Sequence, residues 1–243
     1  MSSYTLIAGL DEVGRGPLAG PVVVAAALLD QRSLPEGLKD SKLLNAKTIE
    51  SFSAVLKEVL PGYKIVAREP SEIDRLNIYQ ATKQAMLEAL EGLPTKPQAA
   101  ISDALPLPEA SIPVYALVKA DQTQECVMAA SILAKMYRDS LMIAYDSLYP
   151  QYGFASHMGY PTARHLEALK QYGITPIHRL SYQPVLEALL FHREHLESWI
   201  QTATGIQRLN LLNRALKIKK PSSIFCEHRF LGSVLLLKKA VGL

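Results

Sequence analysis

Cysteine is almost missing from this chain. Its two cysteines, Cys126 and Cys226, lie a hundred positions apart, which excludes both a disulfide framework and the paired spacing of a zinc site. Long apolar runs are missing as well: the last one, residues 234–237, is far too short to span a bilayer. No low-complexity stretch or block of one charge sign is present, so a disordered chain is excluded, and no internal repeat points to a solenoid. The first residues lack the basic-then-apolar pattern of a secretory signal. A cytoplasmic protein with reduced thiols and no membrane partner is the expectation.

What is present is enough apolar side chain for a full core, 49% of 243 residues. The net charge of +3 hides an asymmetry: residues 191–243 hold nine basic residues against three acidic ones, whereas the rest of the chain is mildly acidic. A basic tail suits a polyanionic partner. A solvated helical face would give the same count.

Strands are expected over residues 5–10 and 22–29, separated by a Gly-Pro-rich turn. A helix over 45–60, a strand over 63–67 and a helix from 71 to 91 opened by a Ser71–Asp74 capping pair follow. Strands over 99–102 and 114–118 precede the longest helix, 125–148, whose small residues Ala129, Ala130, Ser131 and Ala134 permit close packing on a sheet. The pattern is that of a mixed α/β sheet flanked by helices. Beyond residue 150 come a polar, aromatic loop over 152–162, a short helix to 172, a helix over 184–202 and an amphipathic stretch over 206–218. The expected division is an α/β core over residues 1–150 and a helical C-terminal region over 151–243.

Acidic residues close three of the expected strands: Asp11-Glu12, Asp103 and Asp121. A carboxylate pair at the mouth of a buried strand is costly, because like charges repel and burial favours the neutral form. A divalent cation between the carboxylates removes that cost. Ligand sites of open α/β sheets gather at strand ends, and four hard oxygen donors suit Mg²⁺ or Mn²⁺ rather than Zn²⁺. Two such ions about 3.5–4 Å apart serve in-line displacement at a phosphodiester. Loop caps are the bland alternative for each acid taken singly.

Two other patterns carry less. Gly14-x-Gly16-x-x-x-Gly20 misses the dinucleotide-binding spacing by one residue, contains Pro17 and leads into Val22-Val23-Val24 instead of a helix. His192-x-x-His195 lacks a third ligand and reads as a solvated helix face.

Asp11-Glu12-Val13-Gly14-Arg15-Gly16-Pro17-Leu18-Ala19-Gly20-Pro21-Val22 resembles the opening signature of the ribonuclease HII family. Four further segments resemble that family in the same order. They are Leu38-Lys39-Asp40-Ser41-Lys42-Leu43; Val118-Lys119-Ala120-Asp121; Ala129-Ala130-Ser131-Ile132-Leu133-Ala134-Lys135 with Arg138-Asp139; and Tyr152-Gly153-Phe154 through His157, Gly159-Tyr160, Thr162 and His165 to His178-Arg179. The Gly-Arg-Gly triplet separates the chain from the related ribonuclease HIII pattern.

The resemblance implies a ribonuclease H-like fold and an endonuclease that cuts the RNA strand of RNA–DNA hybrids, including a single ribonucleotide embedded in duplex DNA, and leaves 5′-phosphate and 3′-hydroxyl ends. It implies Asp11, Glu12, Asp103 and Asp121 as catalytic, metal-holding acids. Gly14, Arg15, Gly16, Lys42 and Tyr160 are the implied nucleic-acid contacts, with the triplet and Tyr160 reading the RNA–DNA junction. Telling RNA from DNA requires contact with the 2′-hydroxyl, which main chain unshielded by a Cβ can reach. A monomer is expected. Met158, Ala120 and Leu180 depart from common family residues without touching the acids. Gln207-Arg208-Leu209-Asn210-Leu211-Leu212 is similar to a sliding-clamp-binding peptide, although its pattern fits an ordinary amphipathic helix better.

Overall fold

The structure is a computed structural model that describes residues 5–30, 45–218 and 227–242. The chain divides into two compact units. The first runs to Gly16 and resumes over Gly20–Ala144; the second takes Pro17–Ala19 and the chain from Tyr145 onward.

The first unit is built on strands β1 (Leu6–Val13), β2 (Val22–Asp30), β3 (Gly62–Arg68), β4 (Ala99–Asp103) and β5 (Val114–Leu117). Their order across the sheet is β3-β2-β1-β4-β5. β2 runs antiparallel to β1 and β3, while β4 runs parallel to β1 and β5 parallel to β4. Helices α1 (Ala46–Val59), α2 (Pro70–Leu76), α3 (Ile78–Glu91), α4 (Ala120–Thr123) and α5 (Glu125–Leu148), whose last four residues fall in the second unit, complete it.

Side chains alternate across the strands, and both faces of the sheet are covered. Ile7, Val23, Ala25, Ala27 and Ile101 pack with Ile49 and Leu56 of α1 and Val127 and Ala130 of α5. Ala8, Leu10, Val24, Ala26 and Ala100 pack with Ala85, Met86 and Ala89 of α3. The unbroken apolar run of β2 follows from burial on both faces. β1 and α5 approach so closely that a Cβ added at Gly9 would stand 2.0 Å from the Cys126 backbone, so only glycine fits there.

The expected single helix over 71–91 is two. α2 starts at Pro70, with Glu72 accepting the Glu69 N–H at 3.1 Å, so the Ser71–Asp74 pair is not the cap. Asn77 adopts a positive φ of 69° and its side chain accepts the Gln80 N–H, ending α2 and capping α3 at one residue.

The second unit holds α6 (Phe154–His157), α7 (Ala163–Tyr172), α8 (Gln183–Phe191), α9 (Arg193–Thr202), α10 (Gly205–Ala215) and α11 (Glu227–Ala240). Its core joins Leu186, Leu189, Leu190, Leu196, Leu211, Leu212, Val234 and Leu237. The expected helix over 184–202 breaks at His192, whose Nε2 donates to the Leu169 and Lys170 carbonyls at the end of α7. His195 Nδ1 accepts the Ile174 N–H at 3.3 Å. These two histidines therefore hold α7 to α9, which corrects their reading as a solvated face. In α10, Leu211 and Leu212 are buried while Ile206 and Leu209 are exposed, the two-sided pattern of an amphipathic helix. Arg214 is turned onto the Leu180 carbonyl of its own unit. Among the described residues no helix is long and apolar enough to cross a membrane.

Candidate active site

Three neighbouring parallel strands bring the acids to one edge of the first unit. Leu10 pairs with Ser102, so Asp11 and Asp103 follow at adjacent strand ends. Asp103 pairs with Leu117 at the end of β5. The chain then turns through Lys119, at a φ of 60°, into α4, which carries Asp121. The Asp103 Oδ1 accepts the Ala120 N–H at 2.9 Å, tying the end of β4 to the start of α4. Asp11 and Asp121 are 5% and 1% exposed.

The electrostatics are those of charge held against its preference. Burial, then the adjacent Glu12 charge, pushes the Asp11 carboxyl up to about 8, with a smaller push from Asp103. The Ser131 hydroxyl and the Glu12 N–H, the latter at 2.8 Å, oppose that rise. Burial likewise raises Glu12, against the pull of Arg15, whose Nη1 donates to Glu12 Oε1 at 3.2 Å. Asp103 raises Glu12 further. Asp11, Glu12 and Asp103 thus feel one another directly, while Asp121 is the residue after Ala120, whose N–H bonds to Asp103.

The turn after β1 carries the Gly14-Arg15-Gly16 triplet. Gly14 has a φ of +90°, and a Cβ there would stand 2.1 Å from the Arg138 Nε. Arg138 is fully buried and donates from Nε to the Pro21 carbonyl at 3.0 Å, forming the floor of the turn. Arg15 is exposed beside Glu12. Tyr160 lies in the second unit and is 44% exposed. Lys42 lies outside the described residues.

Two supporting residues carried no role in the sequence reading. Ser131 counted there only as a small packing residue, and Arg138 only as part of a motif. Cys126 is no nucleophile, since burial pushes its thiol up to about 12.

A hard divalent cation fits this donor set. The buried Glu12 Oε2 has no hydrogen-bond partner, which is costly for a carboxylate unless a cation satisfies it. All four candidate donors are carboxylates, the chemistry of Mg²⁺ or Mn²⁺ sites. Among the described residues no three His, Cys, Asp or Glu side chains form a ready-made cage.

A mixed sheet of this order with carboxylates at its strand ends defines a ribonuclease H-like fold. Two solved structures share it. The ribonuclease H2 of Pyrococcus horikoshii aligns with a TM-score of 0.68 at 31% identity, over 75% of this chain and 96% of that one. The ribonuclease HII of Archaeoglobus fulgidus, solved in complex with PCNA, aligns with a TM-score of 0.64 at 27% identity, over 73% of this chain and 95% of that one.

The chain belongs to the ribonuclease HII family, whose model, described as Ribonuclease HII, matches residues 8–185. A ribonuclease HII of Desulfitobacterium hafniense is 48% identical over 189 residues, which is 78% of this chain and 73% of that protein. The protein is accordingly an enzyme, a metal-dependent hydrolase of the ribonuclease H type.

Proposed function

We propose that this enzyme hydrolyses the RNA strand of RNA–DNA hybrids and nicks duplex DNA on the 5′ side of a single embedded ribonucleotide, leaving 5′-phosphate and 3′-hydroxyl ends. The observation that carries the reading is a buried, mutually repelling acid group, with a partnerless Glu12 oxygen, leading directly into Gly14-Arg15-Gly16. Asp11, Glu12, Asp103 and Asp121 are the residues that would hold the metal, two Mg²⁺ or Mn²⁺ ions in this reading. When bound, such ions neutralise charge at the scissile phosphodiester and lower the pKa of an attacking water.

The chain's own groups supply the rest. Ser131 and the Glu12 N–H orient Asp11, and the Ala120 N–H orients Asp103. Arg15 offers an exposed positive charge for a neighbouring phosphate. Main chain at Gly14 and Gly16 can reach a 2′-hydroxyl, the group that distinguishes RNA from DNA. Tyr160 presents an exposed ring for the sugar on the DNA side of the junction.

The test is a duplex with one ribonucleotide beside an all-DNA control, incubated with Mg²⁺ and mapped at nucleotide resolution. A nick 5′ of the ribonucleotide and an intact control are expected. Cuts only within runs of several ribonucleotides would overturn junction reading. Tyr160→Ala is expected to impair the single-ribonucleotide substrate more than a long hybrid, and equal loss on both would make Tyr160 structural.

A further inference from the structure

The loop that carries Tyr160 is held by buried histidines for which neither the sequence nor the proposed chemistry has a use. His157, His165 and His178 are buried in the second unit, boxed by Tyr152 and Phe154. Phe154 stacks on Tyr152 with ring centroids 5.2 Å apart, and His157 stacks on His165 at 4.7 Å.

Their hydrogen bonds admit one arrangement of protons. A backbone N–H can only donate, so the Thr175 N–H, 2.9 Å from His178 Nδ1, makes that nitrogen an acceptor. His178 therefore carries its proton on Nε2, which faces His165 Nε2 at 3.0 Å. That bond needs His165 Nε2 bare, so His165 carries its proton on Nδ1 and donates it to the Tyr160 carbonyl at 3.0 Å. A directed chain results, from the Thr175 amide through two neutral rings to the backbone of Tyr160. His157 is fixed the same way: its Nδ1 accepts the Gly159 N–H at 3.2 Å, and its Nε2 donates to the Tyr152 carbonyl at 3.0 Å. Burial keeps the His165 and His178 rings uncharged, holding His165 down to about 4 and His178 down to about 3.

The same peptide is gripped on its other side. Leu18 donates its N–H to the Gly159 carbonyl at 2.8 Å, and the Tyr160 N–H bonds to the His157 carbonyl at 2.8 Å. Both peptide units flanking the Tyr160 Cα are thus fixed, while its ring stays exposed.

We propose that His165 and His178 are positioning residues for substrate discrimination: a tautomer-locked pair that fixes the Tyr160 backbone so that its ring meets the RNA–DNA junction in one orientation. This rests on the proposed role of Tyr160.

Two measurements test it. The first is long-range ¹⁵N–¹H NMR of the imidazoles in the full-length protein at neutral pH. His165 is expected as the Nδ1–H tautomer and His178 as the Nε2–H tautomer, and any other pairing overturns the chain. The second is the ratio of kcat/KM on a single-ribonucleotide duplex to kcat/KM on a long hybrid. His165→Phe keeps the ring and removes the donor, so the ratio should fall about fivefold, the scale of one hydrogen bond. His165→Asn, whose amide places a donor where Nδ1 stands, should recover it. In a Tyr160→Ala background, His165→Phe should change the ratio no further. If Tyr160→Ala shifts the ratio and His165→Phe does not, the positioning role is wrong while junction reading stands. If Tyr160→Ala leaves the ratio unchanged, junction reading by Tyr160 fails, and the positioning role falls with it even where the tautomers are as assigned.

Discussion

Each unit holds one cluster of buried ionisable side chains, and the two clusters are bonded in opposite ways. In the first, a buried Asp11 adjoins a half-buried Glu12, one of whose oxygens is buried without a hydrogen-bond partner. In the second, every ring nitrogen of His157, His165 and His178 has a hydrogen-bond partner. A buried polar group costs little when fully bonded and a great deal when left short. The histidine group is therefore finished by folding alone. The carboxylate group is unfinished, and what completes it must arrive from outside, which is the mark of a working site rather than a structural one.

The largest expected effect breaks the unfinished side. Asp11→Asn should lower turnover by several orders of magnitude, because a charge needed for the metal is lost. The amide keeps an acceptor for the Glu12 N–H, and the variant should melt higher than the parent in chelator, since a buried repelling charge has gone. A variant that loses both activity and stability would make Asp11 a structural residue.

Acid attacks the finished side next. His165 and His178 bind protons more weakly folded than unfolded, with values of about 4 and about 3 against an ordinary 6.5. Their contribution is complete above 6.5 and drains as pH falls toward 4 and then 3, on the order of a few kcal/mol for the pair. Urea melts between pH 7 and pH 4 measure it, and His165→Phe should flatten the slope. Asp11 has the opposite sign: its carboxyl is raised, so its contribution is lost as pH rises through about 8. Without divalent ions, the advantage of Asp11→Asn should therefore grow from pH 4 to pH 8.

Saturating the unfinished side sharpens the contrast. Mg²⁺ or Mn²⁺ at a hundredfold excess over its dissociation constant should stabilise the protein by about 2.7 kcal/mol, and the gain should vanish in the Asp11→Asn, Asp103→Asn double variant. The smallest effect belongs to Ser131→Ala, which removes one bond to Asp11 and should cost about 1 kcal/mol in calorimetry.

The acids stood out in sequence because charge interrupts an apolar run, although β1 continues past Asp11-Glu12 to Val13, Asp103 is the last residue of β4, and Asp121 lies four residues beyond β5 in α4. The long helix over 125–148 was legible for its length and small residues. The break at Asn77 was not, because a left-handed asparagine that both ends and caps a helix looks locally like a helical residue. His192 was missed for a different reason, since its partners lie more than twenty residues away in α7. The histidine chain likewise joins residues thirteen apart whose pairing only the fold creates. Ser131 passed as a packing residue because nothing local says which hydroxyl on a helix faces an acid.

Pro17–Ala19 belongs to the second unit although Gly16, next to it in the chain, belongs to the first. Leu18 accepts the Arg179 N–H, and Ala19 bridges to His178. Leu18 and Ala19 must therefore wait for partners made about 160 positions later, roughly ten to thirty seconds at bacterial elongation rates. A fragment cut before Tyr145 would lack Pro17–Ala19, and with them the Leu18 bonds to Gly159 and Arg179 and the Ala19–His178 bridge. Fragment complementation of the second unit should therefore need a peptide carrying residues 17–19.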